Sequence, residues 1–279
     1  MLKYTFLKAT FLPALGFLLA TANVQAASFS GTWQQGGLII GQLDSHENAI
    51  FNNKTLQKTS DGKVVFGLGR DAPATAKVII KHTDGSQKTL SFPVAQRQYD
   101  IQKITGIEQK HVEPSAEFTA RINREAVAVA AVRKKSSDRT DFLSTFIWPA
   151  KGPVTGVYGS QRFYNGIPKN PHFGIDIAGP KGAAVIAPAA GKVIFANDDL
   201  FFSGGTLIVD HGFGINSTFI HLSKIEVKLG DEVKQGDLIA RIGATGRATG
   251  PHLDWRINWF DERLDPQLLF PKNAKPALK

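Results

Sequence analysis

Apolar and polar positions along this chain change period three times. Residues 9–22 form an almost unbroken apolar run, preceded by Lys3 and Lys8 and followed by Val24-Gln25-Ala26. The run is too short to span a bilayer, and the small residues at 24 and 26 stand where a signal peptidase reads. A cleaved secretory signal over residues 1–26 is expected. It implies a mature chain starting at Ala27, a periplasmic or secreted location, and no integral membrane span after cleavage.

From 28 to 100 the pattern has period two. Runs rich in β-branched residues at 36–41, 63–67 and 76–80 are punctuated by Asp61-Gly62 and Asp84-Gly85, which reads as strands joined by tight turns. A small β-sandwich-type domain is expected over residues 27–105. Helical spacing follows. After Pro114, the residues Ser115, Glu117, Phe118, Ile122, Ala126, Val129 and Val132 recur at intervals that fit a helix. Arg133-Lys134-Lys135 closes the run with cations suited to a helix C-terminus and reads as solvated. The segment 106–143 is therefore expected to be a helical connector. From Phe146 onward Gly-rich, β-branched stretches return and nothing supports a long helix. The expected fold is mostly β: a C-terminal antiparallel β-sheet, barrel- or sandwich-like, over 144–270, preceded by the small β-domain and the connecting helix, with a tail at 271–279.

Composition narrows the chemistry. The 279 residues contain no cysteine, which excludes disulfide scaffolds, cysteine-based zinc modules and thiol nucleophiles. Any metal must be held by His and carboxylate. With 33 Lys+Arg against 24 Asp+Glu, the net charge of +9 suits a polyanionic surface such as cell-wall polymer. No basic stripe interleaved with aromatics marks a nucleic-acid interface, so no nucleic-acid partner is expected.

Four of the seven histidines lie in the C-terminal half: His172, His211, His221 and His252. Read with period two, His172, Gly174 and Asp176 share one face of a strand while Phe173, Ile175 and Ile177 share the other. The same parity groups His252, Asp254 and Arg256 against Leu253, Trp255 and Ile257. A third strand places His221 opposite Ile220 and Leu222. If the three line one sheet, two His and two Asp can surround a metal with another His nearby. Zinc suits this donor set, because it accepts imidazole and carboxylate and keeps a position for water. The remaining histidines would serve as general base and oxyanion donor. His211, in Asp210-His211-Gly212, reads as a structural turn residue. Arg162, Tyr164 and Asn165 precede the first metal strand around an Asn165-Gly166 turn and are candidates to line a substrate groove.

At these residues the chain resembles a known family. The stretches 171–178, 219–223, 230–237 and 243–255 look like the M23 (lysostaphin-type, LytM-domain) zinc metallopeptidases, over roughly 148–270. The N-terminal β-domain is similar to the companion domain of exported Gram-negative members. The resemblance implies a metalloendopeptidase with one Zn2+ per chain that hydrolyses peptide bonds in peptidoglycan stems or cross-links. Carried over, it makes His172 and Asp176 zinc ligands, and His221 and His252 the catalytic pair. The family's third ligand is the second His of His-x-His, and here that position is Asp254. A carboxylate ligates zinc at nearly the same distance but adds a negative charge. The alternative is a catalytically degenerate LytM-domain protein that binds or activates a separate cell-wall amidase.

Overall fold

Residues 27–105, 116–271 and 274–277 are described by a computed structural model. The expected signal segment, Pro114 and Ser115 lie outside the described residues. Among the described residues no helix is long and apolar enough to cross a membrane.

The first half is built from β1 (Ser28–Gly31), β2 (Leu38–Gln42), β3 (Glu47–Phe51), β4 (Lys54–Thr55), β5 (Lys63–Gly67), β6 (Thr75–His82), β7 (Gln87–Pro93) and β8 (Ile101–Ile104). Two small antiparallel sheets, β1-β2-β5 and β4-β3-β6-β7, follow from the alternation in the sequence. Ala76, Val78 and Ile80 of β6 are buried while Lys77 and Lys81 face solvent, as period two requires. Each fully buried Ile, Leu or Phe contributes about 1.5–3 kcal/mol relative to exposure.

A long helix, α1 (Ala116–Arg133), joins this half to the rest. The second half contains β9 (Val154–Gly156), β10 (Gln161–Tyr164), β11 (Ile167–Pro168), β12 (Ile175–Ala178), β13 (Ala184–Ile186), β14 (Gly191–Leu200) and β15 (Gly204–Gly212). It continues with β16 (Ile215–Ile225), β17 (Glu232–Val233), β18 (Leu238–Ile242), β19 (His252–Trp259) and β20 (Glu262–Leu264). The main sheet runs β17-β14-β15-β16-β19-β12-β9, with β20 on β19 and the β13–β18 ladder attached through β16. One face carries Ile175, Ile177, Phe219, Leu253, Trp255 and Ile257, all fully buried.

The halves are joined by packing and by polar bonds. Phe51 lies 6.1 Å from Trp259, Arg97 pairs with buried Asp265 at 2.6 Å, and Tyr158 Oη donates to the Arg263 carbonyl at 2.7 Å.

Among the described side chains of α1 no apolar one is buried, and Val127 is 69% exposed. Polar contacts, together with Phe118 lying 4.9 Å from the Phe201 ring, hold the helix instead. Arg121 reaches Asp199 at 3.0 Å, and the Glu125 carboxylate accepts the Phe201 N–H at 2.8 Å. The sequence reading of its end needs one correction. Lys134 and Lys135 are exposed, but Arg133 is only 9% exposed. The cause lies just beyond the helix. Ser137 accepts the Phe213 N–H through its carbonyl at 2.9 Å and donates its hydroxyl to Asp210 at 2.6 Å. Those bonds tie the chain to β15 and its turn and draw Arg133 inward.

Candidate metal centre

β12 and β19 pair antiparallel with Asp176 directly opposite Asp254. Opposed residues share a face, so the alternation that buries Ile175, Ile177, Leu253 and Trp255 brings the two carboxylates together. Gly156 of β9 stands opposite Asp176; a Cβ there would fall on the Asp176 carboxylate.

His172 departs from the sequence expectation. It does not lie on the strand, which begins only at Ile175. Its N–H instead donates to the Ser160 carbonyl at 2.8 Å, and its own carbonyl accepts the Gly159 N–H at 2.7 Å. Gly174 permits the close passage, since a Cβ there would sit 2.7 Å from Asp254 Oδ1 and 2.6 Å from Arg256 Cγ. His172 Nε2 thereby reaches Asp176 Oδ1 at 3.0 Å and Asp254 Oδ2 at 3.4 Å.

His221 arrives by a different route. Ile220 is opposite Asp254, so strict alternation would send His221 to the apolar face. The backbone prevents this. Between the pairs Phe219–Leu207 and Leu222–Gly205, two residues of β16 oppose one of β15, which is a β-bulge. His221 has φ +64°, a conformation uncommon for a residue with a side chain. Its ring comes to lie 4.8 Å from that of His252.

Three imidazoles are oriented in one way. His172 Nδ1 bonds the Val157 carbonyl at 3.1 Å, His221 Nδ1 that of Thr245 at 2.8 Å, and His252 Nδ1 that of Gly250 at 2.8 Å. A carbonyl only accepts, so each Nδ1 carries a proton, and Nε2 of each ring is the nitrogen left to bind a metal or take a second proton. His252 Nε2 stands 3.7 Å from Asp176 Oδ1. Burial pushes the His221 imidazole below its ordinary value, against a smaller opposite effect of its bond to Thr245.

One partner was not foreseen. Arg256 grips Asp254 with both arms, Nε to Oδ1 at 2.9 Å and Nη2 to Oδ2 at 2.6 Å. The sequence shows that the two share a face but not that they pair. Burial alone would raise the Asp254 carboxyl; the Arg256 charge and its two bonds hold it far below the usual carboxylate range.

Other expected residues lie elsewhere. His211 sits within β15, not at a turn. It is fully buried, with Nδ1 on the Ala190 carbonyl at 2.7 Å and Nε2 on Ser217 Oγ at 2.8 Å, so both nitrogens are committed and its role is structural. Arg162 and Tyr164 are on β10, which pairs with β8 and, around the Asn165-Gly166 turn, with β11. Arg162 and Asn165 are exposed. Arg162 and Asn165 do not belong to the group formed by His172, Asp176, Asp254, His221 and His252, and the side chain of Tyr164 lies outside the described residues.

The donor set fits a metal. His172, Asp176 and Asp254 each offer one ligand atom, all within 4.8 Å of one another. His172 Nε2 and Asp176 Oδ1 are buried without a hydrogen-bond partner among the described residues, an arrangement that costs energy unless something bridges them. Asp254 retains acceptor capacity, since a carboxylate has about four lone-pair sites and Arg256 occupies two.

Without metal, the site holds a proton. Burial opposes charge on His172, but the Asp176 and Asp254 carboxylates beside its Nε2 outweigh that and push it up to about 10. A raised value stabilises the fold fully below the unfolded pKa of about 6.5 and less as pH climbs through the folded value. The metal-free protein is therefore expected to lose thermal stability between pH 7 and 10. Zinc at saturation should remove that dependence by taking the proton's place. Melting curves at several pH values, with zinc or with chelator, check this; a flat metal-free profile would contradict it.

Comparison with known proteins gives a consistent picture. The profile of peptidase family M23 matches residues 170–266. A crystal structure from Pseudomonas aeruginosa, described as of peptidase M23, is 31% identical. The match covers 85% of this chain and 94% of that one, with a TM-score of 0.66. The murein hydrolase activator NlpD of Escherichia coli is 33% identical over 130 residues, 47% of this chain and 32% of its own length. The peptidoglycan DD-endopeptidase ShyB of Vibrio cholerae is 44% identical over 87 residues, 31% of this chain and 20% of its own. The match thus spans about a third of NlpD and a fifth of ShyB.

Proposed function

The chain belongs to peptidase family M23, and from that premise we propose that it is a zinc-dependent endopeptidase of the cell envelope that hydrolyses peptide bonds in peptidoglycan. The observation that carries this reading is the common orientation of three imidazoles around two carboxylates, with Nδ1 of each fixed on a backbone carbonyl. Such ordering has no use in a purely structural cluster, where ring nitrogens are paired off as in His211.

His172, Asp176 and Asp254 would hold the zinc, which when bound supplies a Lewis acid for the scissile carbonyl and acidifies water. His221, neutral and with Nε2 as acceptor, takes the proton from the attacking water and returns it to the leaving amine. His252, taking a proton from solvent at Nε2, donates that N–H to the developing oxyanion. Residues around the pair limit their motion, since both rings are tethered at Nδ1.

A second reading is favoured by one observation, the bidentate Arg256–Asp254 pair. A guanidinium this close to the third ligand competes with a dication for the same oxygens. In that case the groove would act as a binding surface for a cell-wall amidase, in line with the similarity to NlpD. Incubation of the purified mature protein with sacculi separates the two. The endopeptidase should release cross-linked or stem-peptide fragments, and chelator should abolish the release. No release by the protein alone, together with faster release by an added amidase, would establish the second reading.

A further inference from the structure

The three ligand positions of the metal centre do not share one support. Asp176 and Asp254 stand on β12 and β19, opposed in the ladder. His172 precedes β12 and is held by residues 157–160 through three bonds. Its Nδ1 donates to the Val157 carbonyl at 3.1 Å. Its main-chain carbonyl accepts the Gly159 N–H at 2.7 Å, and its N–H donates to the Ser160 carbonyl at 2.8 Å. This loop therefore sets both the backbone of His172 and the turn of its ring.

The loop is gripped in turn by the first half of the chain. Arg70, just past the end of β5, donates Nε to the Gly159 carbonyl at 3.0 Å, and its side chain is only 11% exposed. Gly159 thus gives its N–H to His172 and its carbonyl to Arg70. The Tyr99 ring lies against the same residue, where a Cβ would collide with it. Gly159 also has φ +87°, so glycine meets both demands. Arg70 and Tyr99 hold each other as well. The guanidinium lies 4.4 Å from the ring centre, and Tyr99 Oη donates to the Arg70 carbonyl at 3.1 Å. One residue further, the Asp100 carbonyl accepts the Gln161 N–H at 2.9 Å, and β8 runs on beside β10.

We propose that Arg70 and Tyr99 are positioning residues for His172, so that the first half of the chain, which contributes none of the three ligands, sets the affinity of the metal centre. The inference rests on the zinc reading given above and adds to it a dependence on the other half of the molecule. A ligand on an untethered loop must be ordered when the metal arrives, and that entropy is lost from the binding free energy. With Arg70 and Tyr99 in place the ordering is complete before metal binds. Groups that orient ligands in this way typically change metal affinity ten- to a hundredfold. A contact that only joins the halves should change stability and leave affinity alone. Phe51 against Trp259, 6.1 Å apart, supplies that control, since it involves no residue of the loop.

Zinc affinity of the full chain is measured by competition with a chromophoric chelator, so the test does not depend on hydrolysis. The proteins are wild type, Arg70→Met, Arg70→Lys, Tyr99→Leu and Phe51→Leu. Arg70→Met keeps the stem and removes the donor; it and Tyr99→Leu should bind zinc about ten- to a hundredfold more weakly. Arg70→Lys, which can still donate, should regain part of the loss. Phe51→Leu should melt lower yet bind zinc as wild type does. A second measurement needs no metal. In the chelator-treated chain labelled with 15N-histidine, the His172 Nδ1 proton should exchange with water faster in Arg70→Met and at the wild-type rate in Phe51→Leu. Wild-type zinc affinity in Arg70→Met or in Tyr99→Leu would overturn the inference, and so would an equal loss in Phe51→Leu or an unchanged proton exchange in Arg70→Met. Zinc binding that depends on Arg70, in a protein that releases nothing from sacculi, would sink the peptidase reading alone. A wild type that binds no zinc would sink the zinc reading, and the proton exchange would still decide whether Arg70 holds His172.

Discussion

Asp254→Ala is expected to lose zinc and, in the same step, about 3–5 kcal/mol of stability, the cost of breaking a buried ion pair by removing one partner. Arg256 is left inside the protein without its bidentate partner, since both of its side-chain bonds go to Asp254, and Asp176 is the anion that remains near it. Asp254→His separates the two losses. Imidazole restores a zinc donor, so metal should bind, yet the protein should still melt low because Arg256 remains unpaired. Adding Arg256→Met to that variant should recover much of the melting temperature, because replacing both partners of a buried pair is far milder than replacing one. The acid limb has a definite sign. Asp254 is held far below the usual carboxylate range, so the pair's contribution is intact at neutral pH and is lost only as pH falls below about 4, the unfolded value. Denaturant melts and zinc titrations of the three variants check all of this. A wild-type melting profile for Asp254→Ala would show that the pair carries no stability, and retained zinc affinity would remove Asp254 from the ligand set.

The second large effect is catalytic. His221→Asn should lower kcat by about 10²- to 10⁴-fold, the usual worth of a positioned acid–base group, while leaving zinc affinity and the melting temperature close to wild type. Asn is chosen because the residue at 221 sits at φ +64°, where asparagine is tolerated better than other side chains. His221→Val, which removes the same base, should in addition melt low, because a β-branched residue at positive φ is strained. Loss of zinc from His221→Asn would move His221 from the catalytic pair to the ligand set.

Much of this site is legible in alternation. The parity of 175–178 and 252–257 puts Asp176 and Asp254 on the polar face of each strand, while their direct opposition comes from the β12–β19 register, and Gly174 marks a place where side chains must pass closely. Three parts escape that reading, each for a physical reason. His172 falls before the strand, since its backbone pairs with residues 159 and 160, far away in sequence until the loop closes. His221 breaks parity through a bulge, and no residue at 220–222 is a glycine to announce it. Arg133 looks like a solvated helix end, because the contacts that draw it inward come from Asp210 and Phe213, some eighty residues later. The strands read at 63–67 and 76–80, by contrast, form where their pattern puts them, β6 with one buried face and β5 with both faces covered.

The bulge at His221 also marks a change of partners. Up to Ile220, β16 is laced to β19; from Leu222 onward it is laced to β18. The catalytic imidazole thus stands at a corner where one strand leaves one neighbour for another. Like a door post shared by two walls, it takes its bearing from both. A tilt of the β13–β18 ladder reaches the backbone of residue 221 before it reaches the carboxylates, which are anchored on β12 and β19. His221 and the two carboxylates are therefore hung on different supports, and a push on the outer ladder changes the spacing between them.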